Sequence, residues 1–492
     1  MPDFRTLKDG YPKDPDMPQR THHLLALTRV IDGKLYHELK HAFSEEKAEN
    51  GEYIPLKERR PSARTSFCRT VVNDSVSMLF DEGHFPTIEC KDEKTREALA
   101  KVIKDACLNS VMIEAATRGS VGSICIHMRV LKNRVFCNVM ATAYLTPEWQ
   151  DEAPDTLKSV TERYKVKGKV LKELGYAIPD DQTEDSFWFQ RIWDETAENW
   201  YQPQTLKDAK DGKAPVVDTQ RTVEHKLGFV PMVWVRNLPC GENDTDGAPT
   251  FPVEAIDTQI EADYLLSQGG RGLKYQSDPT LHIKEPALSG GAMVKGAANA
   301  IITAAEGDAK LLEISGDAAT AVMEWIKALR VIGLEAMGGN RSDSDKLSAA
   351  QSGRAMELMN QSLIWLADKL RISYGEGAML SLLCMIVRVS EKFALKDKRG
   401  RSIEKMSQTE DISLRWPAWY APTYADKSTE ATTLDTLRSG GLISQETAVK
   451  TIADGYDIED VEAELAAIKA DDPPPNSIAA KPQKPPLSDS QD

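Results

Sequence analysis

Residues 323–392 decide the fold, and they divide around the polar stretch GGNRSDSDK at residues 338–346. The segment MEWIKALRVIGLEAM at 323–337 precedes this stretch, and a longer segment ending at Lys392 follows it. Both flanking segments carry apolar residues at helical spacing, whereas the polar stretch has no apolar face to bury. The sequence therefore predicts two long helices that meet at an exposed loop.

The segment after the loop carries one apolar stripe with steps of three and four residues, which is typical of a helix with one buried face. The stripe is formed by Met356, Met359, Leu363, Leu366, Leu370, Leu380, Cys384 and Val387. Gly375 and Gly377 interrupt it, so we expect either one helix or two helices joined at a kink. A long helix behind a polar loop suits a ring-shaped assembly, in which a radial helix carries the loop toward the axis.

Length and composition indicate a folded protein with several structural regions. The chain has 492 residues, enough for two or three cores, with 41% hydrophobic and 28% charged residues. Its formal net charge is −15. Proteins that bind nucleic acid tightly by releasing its counterions need many basic residues and a positive charge. Tight gripping of DNA is therefore disfavoured, although DNA could still slide past an acidic wall.

Neither a membrane span, a secretory signal nor a disulfide framework is expected. The longest mainly apolar run, residues 378–387, is shorter than the roughly 20 residues that cross a bilayer. The N-terminal stretch has no apolar core after its first basic residues. The seven cysteines lie far apart without a C-x-x-C pair, which predicts reduced and mostly buried thiols.

The N-terminal half reads as an α+β region. Helical patterns cover residues 34–50, 64–82 and 93–118. Alternation from Ile124 to Val130, a turn at Lys132-Asn133 and a second run over 135–140 predict a hairpin. Aromatic-rich runs at 187–193 and 230–235 add strands, and we expect one antiparallel sheet packed beside the N-terminal helices.

The C-terminal half alternates helices with a small β-like module. A helix follows Pro252, and Gly269-Gly270 ends it or loosens its last turn. Short β-like stretches at 280–284 and 310–314 come next, and a helix capped by Asp317 runs on to Gly338. Residues 426–470 predict three short amphipathic helices with Ser444 and Asp457 as caps, and the proline-rich tail 473–492 is predicted to be disordered.

One catalytic motif appears in the sequence, at residues 37–41. His37-Glu38-Leu39-Lys40-His41 matches H-E-x-x-H, which on a helix places two zinc ligands one turn apart beside a general base. No third ligand follows at a workable spacing. The alternative is a polar helix with Leu35, Leu39 and Phe43 facing inward, and we favour this structural interpretation.

Other chemistries find no support in the sequence. The phosphate-binding pattern G-x-x-x-x-G-K-[ST] and the nucleophile pattern G-x-S-x-G are both absent. Trp188, Trp193, Trp200 and Trp234 are not interleaved with basic residues, so packing is favoured over base stacking. We therefore expect no catalytic residues, no cofactor and no metal.

The order of these parts resembles that of portal (connector) proteins of tailed bacteriophages, from about residue 30 to 470. HKLGFVP at 225–231, followed by Asn237, is similar to the stretch that closes the wing of that family. Residues 267–278 resemble the end of its first stem helix, and residues 279–283 resemble the strand that enters its clip. SGRAM at 352–356 is similar to the segment that opens its spine helix, and LISQET at 442–447 with the acidic stretch 457–464 resembles its crown. The insert 150–220 matches no part of the family pattern, and the small-residue run 287–309 does not define the details of the clip.

The resemblance implies an α+β, portal-like fold with a helical and β wing, a two-helix stem, a small α/β clip, a long spine helix and a helical crown. Its expected parts are a wing at 1–250, a first stem helix at 251–272, a clip at 273–316, a second stem helix at 317–339, a tunnel loop at 340–348, a spine helix with return to the wing at 349–425, a crown at 426–472 and the tail.

The resemblance also implies a function. It predicts a dodecameric ring at one capsid vertex, assembled in the host cytoplasm, through which double-stranded DNA is packaged and ejected. Expected partners are other copies of the chain, the terminase large subunit, a head-tail adaptor and the major capsid and scaffolding proteins, with no membrane. The tunnel-loop residues facing the DNA would be Asn340, Arg341, Ser342, Asp343, Ser344, Asp345 and Lys346. The clip residues that dock partners would be His282, Lys284, Lys295 and Lys310.

Three alternatives stay open at the sequence level. A zinc metallopeptidase would use His37, Glu38 and His41. Another ring-forming, capsid-associated structural protein would lack a DNA channel. The polar loop itself could be an ordinary exposed connection between helices, since such loops are common on protein surfaces.

Overall fold

The structure is a computed structural model that describes residues 1–241, 244–277, 280–286, 303–312, 316–339, 357–409, 411–420, 424–456, 458 and 460–470. The chain divides into two compact units. The first comprises Met1–Ser342 and Met359–Trp419, and the second comprises Asp343–Leu358 and Tyr420–Asp492.

The first unit opens with two helices that the sequence patterns did not predict. They are α1 (Phe4–Gly10) and α2 (Gln19–Ile31). Asp3 caps α1, because its carboxylate accepts a 2.7 Å hydrogen bond from the amide of Thr6. Gly33, at φ +70°, lies just beyond the end of α2, in the left-handed region that favours glycine.

The predicted helix over residues 34–50 is wrong. This segment forms turns and the short strand β1 (His41–Ala42), which pairs in parallel with β2 (Arg59–Arg60) after a 3₁₀ turn at Leu56–Glu58. Its core residues Leu35, Tyr36 and Phe43 are buried, but their contacts come from distant parts of the chain rather than from one helical stripe. Tertiary packing overrides the local pattern here.

The next helices largely follow the predictions. Helix α3 spans Phe67–Phe80, as expected for 64–82. The pattern over 93–118 forms two helices, α4 (Glu93–Asp105) and α5 (Leu108–Gly119), because Cys107 adopts φ +52° and breaks the helix. Strand β3 (Thr87–Cys90) lies between α3 and α4.

The predicted hairpin is confirmed as strands β4 (Ser123–Leu131) and β5 (Arg134–Ala141). Lys132 and Asn133 have φ of 50° and 61°, which is the backbone of a two-residue type I′ turn. Strand β12 (Met232–Arg236) pairs antiparallel with β4 and gives a three-stranded sheet in the order β12-β4-β5.

The aromatic-rich region forms a second sheet, so the prediction of one sheet is wrong. Its strands follow the order β11-β9-β8-β7-β6, with β10 also paired to β8. The bounds are β6 Leu145–Trp149, β7 Leu157–Lys167, β8 Ser186–Trp193, β9 Ala197–Trp200, β10 Gln204–Thr205 and β11 Val223–Glu224. Short helical turns join them: Thr142–Tyr144, α6 at Gly168–Glu173, Asp180–Gln182 and α7 at Leu206–Lys210.

The two sheets share one apolar cluster. Cys125 and Met232 from the first sheet pack with Val160 and Trp193 from the second, and Trp193 is fully buried. Trp188 and Trp234 are also buried. The favoured assignment of these tryptophans to packing is therefore confirmed, while Trp200 is partly buried beneath the Arg191 guanidinium.

Helices α8 (Val253–Ser277) and α9 (Gly316–Ala336) bracket an antiparallel strand pair, β13 (Thr280–Pro286) with β14 (Thr303–Leu312). Helix α8 continues through Gly269-Gly270, so the expectation that these glycines end it is wrong. Helix α9 begins one residue before Asp317, which lies in its first turn.

The long helix after the polar loop comprises α10 (Gln361–Leu370), a π-helical segment (Arg371–Met379) and α11 (Leu380–Lys392). Of the two predicted alternatives, the structure has one continuous helix. Gly375 and Gly377 lie in its π segment, a form that often marks functional positions. Among the described residues, one helix, Gln361–Lys392, is long and apolar enough to cross a bilayer, and half of its most apolar window is buried inside the protein, as in a core helix. Strand β15 (Ile412–Arg415) then pairs with β3.

The second unit contains the three predicted C-terminal helices, α12 (Tyr424–Ser439), α13 (Gln445–Ile452) and α14 (Val461–Ala470), with a 3₁₀ turn at Ala453–Tyr456. Ser444 caps α13 as predicted, accepting from the amide of Thr447 at 3.1 Å. Asp457 lies outside the described residues. Asp460 accepts from the amide of Ala463 at 3.0 Å at the start of α14.

All seven cysteines are free thiols, as predicted. The expectation that most are buried is wrong: Cys68 and Cys125 are buried, Cys90 and Cys137 are partly buried, and Cys107, Cys240 and Cys384 are exposed.

Candidate assembly site: the helix pair and its polar loop

Helix α8 is fixed to the N-terminal part of the chain by acceptor side chains one turn apart. Gln259 Oε1 accepts from the Cys68 amide at 3.1 Å. Ser267 Oγ accepts from the amides of Ser62 and Ala63 at 2.9 and 3.0 Å. Because Gln259, Asp263 and Ser267 share one face of the helix, they hold the whole segment 62–68 along α8.

Asp263 lies at the centre of this contact and is only 1% exposed. Its carboxylate accepts from the Thr65 amide, from Thr65 Oγ1 at 2.7 Å and from the Tyr36 hydroxyl at 2.9 Å. Burial raises the pKa of Asp263 to about 6 despite these hydrogen bonds and the nearby Arg64. The same burial, with Asp263 beside it, raises the pKa of Tyr36.

Helices α8 and α9 pack antiparallel. A Cβ on Gly269 would lie 3.3 Å from Val322, and one on Gly333 would lie 3.5 Å from Thr258. The two helices thus run in opposite directions along their contact. The strand pair β13–β14 follows α8 and precedes α9 in the sequence. The arrangement is a two-helix arm with an antiparallel strand pair between its helices in the sequence.

Helix α9 exposes four apolar side chains. Successive residues turn by about 100° around the helix, so Trp325 and Ile332 lie together at one border of the buried face. Met323 lies near the other border, and Val331 lies almost opposite the buried face. These four side chains are 44–49% exposed. Ile326 and Leu329, on the buried face, contact the rest of the protein. Trp325 and Ile332 thus form one exposed apolar patch, whereas the exposed, charged Glu324, Lys327 and Arg330 surround Met323 and Val331. Only the Trp325–Ile332 patch indicates a contact with other protein.

The C-terminal end of α9 is closed by two glycines with different roles. Gly338 adopts φ +67°, and the Gly339 amide donates to Leu334 O at 2.8 Å, which together form a Schellman cap. A Cβ on Gly339 would lie 2.6 Å from Val71 Cγ2, so this position has no room for a side chain. The start of the polar loop is therefore held firmly against α3.

The tunnel-loop residues 340–346 predicted from the sequence lie outside the described residues. The described chain ends at Gly339 and continues at Glu357. The expectation for the loop therefore stays a prediction.

The residues predicted to dock partners are partly described, as backbone only. His282 on β13 lies directly opposite Lys310 on β14, and Lys284 lies opposite Asp308. Lys295 lies outside the described residues. The helices that bracket this pair carry seven acidic and four basic residues, so the arm as a whole does not attract phosphates.

The H-E-x-x-H motif does not form the helical geometry that zinc binding by this pattern requires. His37 lies in a turn, and His41 lies in β1. Glu38 accepts from Arg29 at 3.0 Å, and His41 lies 3.3 Å from Glu45. Within the described part of the chain, no group of three potential metal ligands comes together.

Sequence patterns missed a buried hydrogen-bond network at the π segment. The Tyr374 hydroxyl donates to Asn237 Oδ1 at 3.0 Å, and Asn237 Nδ2 donates to Ala248 O and Thr250 Oγ1 at 2.9 and 3.0 Å. Tyr374 and Asn237 are both fully buried. They join the long helix to the residue that follows β12, and no short sequence pattern links two positions so far apart.

Arg371, on the same π segment, was also missed. Its guanidinium lies between the rings of Trp416 and Trp419, at 4.7 and 3.2 Å from their centroids. Burial lowers the pKa of Arg371 to about 10, and cation–π contact compensates part of the lost hydration. The long helix is thereby fixed to the segment that returns from it.

The described residues thus build a two-helix arm with an exposed apolar patch, a glycine-anchored end of α9 and a long helix held by buried polar contacts. Comparison with protein families gives the particular class, because the family described as phage portal protein, SPP1 Gp6-like, matches residues 13–473. The chain belongs to this family of phage structural proteins. A search of curated proteins found no match. Membership identifies the chain as a component of the virion capsid that forms an oligomeric ring.

Proposed function

We propose that copies of this chain form a dodecameric ring at one capsid vertex and that double-stranded DNA passes through it during packaging and ejection. The observation that carries the proposal is the family match, which covers nearly the whole chain. The ring also serves as the docking platform for the terminase large subunit and the head-tail adaptor.

The exposed apolar patch of Trp325 and Ile332 on α9 supports contact between copies of the chain. In a ring each copy contacts its neighbours through two different surfaces, and we propose that this patch belongs to one of them. Covering one such half-exposed side chain stabilises the contact by about 1 kcal/mol, half the value for full burial. Repeated around a closed ring, these contributions accumulate.

Charge supports the passage of DNA without tight binding. The net charge is −15, and the arm is acidic overall. In the tunnel loop, Arg341 and Lys346 are balanced by Asp343 and Asp345. Such a loop contacts phosphates weakly and lets the duplex move, because a basic wall would hold it by releasing counterions.

Ring formation is tested by native mass spectrometry and negative-stain images of the purified protein. We expect a twelve-fold particle with a central hole in end view. Trp325→Glu places a charge in the contact and should yield lone protomers. Val216→Glu is the matched control, because Val216 is 67% exposed on the sheet region and its substitution should leave the ring intact. A wild-type protein that stays monomeric under all conditions would refute the ring.

The channel is tested by replacing residues 341–346 with a glycine-serine linker of equal length. Rings should still assemble, because the loop ends at Gly339 and Glu357 are untouched. Packaging should fall sharply in a phage carrying this change. Normal genome-filled heads would contradict the tunnel-loop assignment and favour an ordinary connection.

Partner docking is tested at the β13–β14 pair. Lys284→Glu and Lys310→Glu reverse charge on the strands proposed as the clip, together with His282 and Lys295. Capture of the terminase large subunit or the adaptor should be lost while the ring stays intact. Contacts with the major capsid and scaffolding proteins, proposed for residues 1–250, should not change.

A further inference from the structure

The first unit contains a groove of about 830 Å³ that the proposed ring and channel do not use. One wall is formed by residues 148–159 at the β6–β7 hairpin, and the other by residues 228–234 around β12. The floor is the long helix between Glu376 and Arg388. Its volume falls in the range of about 300–1,000 Å³ that is typical of protein ligand sites.

Both walls include edge strands, since β6 ends one sheet and β12 ends the other among the described residues. Strand β6 carries Pro147 and an irregular register between Glu148 and Trp149. Proline and bulges block the addition of another strand to a sheet edge. An occupant of this groove would therefore not extend the sheet at the β6 edge and would contact side chains there.

The interior offers apolar surface that is still partly accessible. Trp149 and Phe229 on the walls, and Leu380 and Met385 on the floor, are all partly buried. Phe229 also carries the Arg388 guanidinium 4.3 Å above its ring. Methionine adapts its shape to different partners, so this surface can accept an apolar side chain that enters the groove.

The rim is mainly acidic. Glu148, Asp155, Glu195 and Glu376 are exposed along it, against the basic Lys158 and Arg388. Asp194 also lines the groove, but it is committed to its own loop, where it accepts from Thr196 and Asn199. The accessible charge is therefore negative and favours a cationic occupant.

We propose that this groove docks a basic segment of a partner protein, with an apolar side chain in the interior and lysine or arginine side chains at the rim. A nucleic acid does not fit, because its phosphates would meet carboxylates. A second copy of this chain is a poorer match in charge, since the chain has 76 acidic and 61 basic residues.

Cys384 provides a built-in reporter, because it is exposed and lines the groove. Cys107 and Cys240 are also exposed and do not line the groove, so they serve as internal references. The probe is a fluorescein-labelled twelve-residue peptide of alternating lysine and leucine, and a glutamate-leucine peptide is its control. Binding is followed by fluorescence anisotropy, and thiol alkylation at alkaline pH is mapped by mass spectrometry.

We expect the lysine-leucine peptide to bind and to slow alkylation of Cys384 at least fivefold, with Cys107 and Cys240 unchanged. The triple variant Glu148→Gln, Glu195→Gln, Glu376→Gln should lose at least tenfold in affinity. The control triple variant Glu49→Gln, Glu82→Gln, Glu404→Gln removes the same charge from exposed positions outside the groove and should lose less than twofold.

Three results would overturn the proposal. Equal losses in both triple variants would mean that net charge alone attracts the peptide. Equal binding of the glutamate-leucine peptide would remove the charge argument. Protection of Cys384 in the purified assembly without peptide, released by Trp325→Glu, would show that a second copy covers the groove.

Discussion

Asp263 gives the sharpest prediction about how the helix arm is held. We consider Asp263→Asn, which keeps an oxygen acceptor for the Thr65 amide and presents an amide that can donate to the Tyr36 hydroxyl oxygen. The variant keeps the size of the side chain and removes its titration, and it reverses the direction of the hydrogen bond with Tyr36. Any change in pH dependence therefore reports on the carboxyl group.

The sign follows from the raised pKa. The folded protein binds this proton more tightly than the unfolded chain, because the pKa of Asp263 rises from 3.8 to about 6. Its contribution to stability is therefore fully present below the unfolded pKa and is lost as pH rises through about 6. The full difference is roughly 3 kcal/mol, and between about pH 7 and pH 5 it amounts to about 1.4 kcal/mol, or about tenfold.

Hydrogen–deuterium exchange of residues 62–68 measures this effect locally, since opening of the segment exposes Asp263. After correction for intrinsic exchange rates, wild-type protection should rise about tenfold relative to Asp263→Asn as pH falls from about 7 to 5. Glu254→Gln is the control, because it changes an exposed carboxylate on the same helix. If wild type and Asp263→Asn respond to pH in parallel, or if Glu254→Gln produces the same change, the reasoning is wrong.

Other perturbations test the loop anchor, the long helix and the second unit. Gly339→Val should lower the free energy of unfolding by about 1–3 kcal/mol, because even a Cβ there lies 2.6 Å from the Val71 side chain. Gly270→Ala has open space around it and should raise the free energy of unfolding by up to about 1 kcal/mol. Denaturant melts distinguish the two outcomes. Tyr374→Phe should cost about 1–2 kcal/mol in the same melts, because it removes a buried hydrogen bond to Asn237; an unchanged midpoint would mean that the bond contributes nothing. Ser444→Ala should cost helix α13 about 1 kcal/mol through loss of its cap, seen as faster amide exchange over residues 445–452 with no change in the first unit.

Local chemistry was sufficient to predict the elements whose signals lie within a few residues of one another. The spacing of apolar residues located α3, α9 and the long helix, and Lys132-Asn133 gave the hairpin turn. The polarity of residues 338–346 predicts a loop between two helices, and this stays a prediction because residues 340–346 lie outside the described part of the chain. The resemblance across the whole chain led to the family that the comparison then showed.

Contacts between distant residues decided the rest. The segment 34–50 has a helix-like pattern but forms turns, because Tyr36 is committed to Asp263, 227 residues away. Strand β12 pairs with β4 and not with the strands of the aromatic-rich sheet. The alternation of apolar residues predicts which face of a strand is buried, but it does not predict which strand it pairs with. The glycines at 269 and 270 did not end α8, because packing against α9 sustains that helix.

The candidate site divides in the same way. Sequence predicted where the strand pair lies, whereas its prediction of the polar loop at residues 340–346 is not tested by the described residues. It did not predict that Gly339 must be glycine, that Arg371 lies between two tryptophans, or that a groove with an acidic rim lies between two sheet edges. Each of these depends on which side chains meet in space, and that is set by folding of the entire chain.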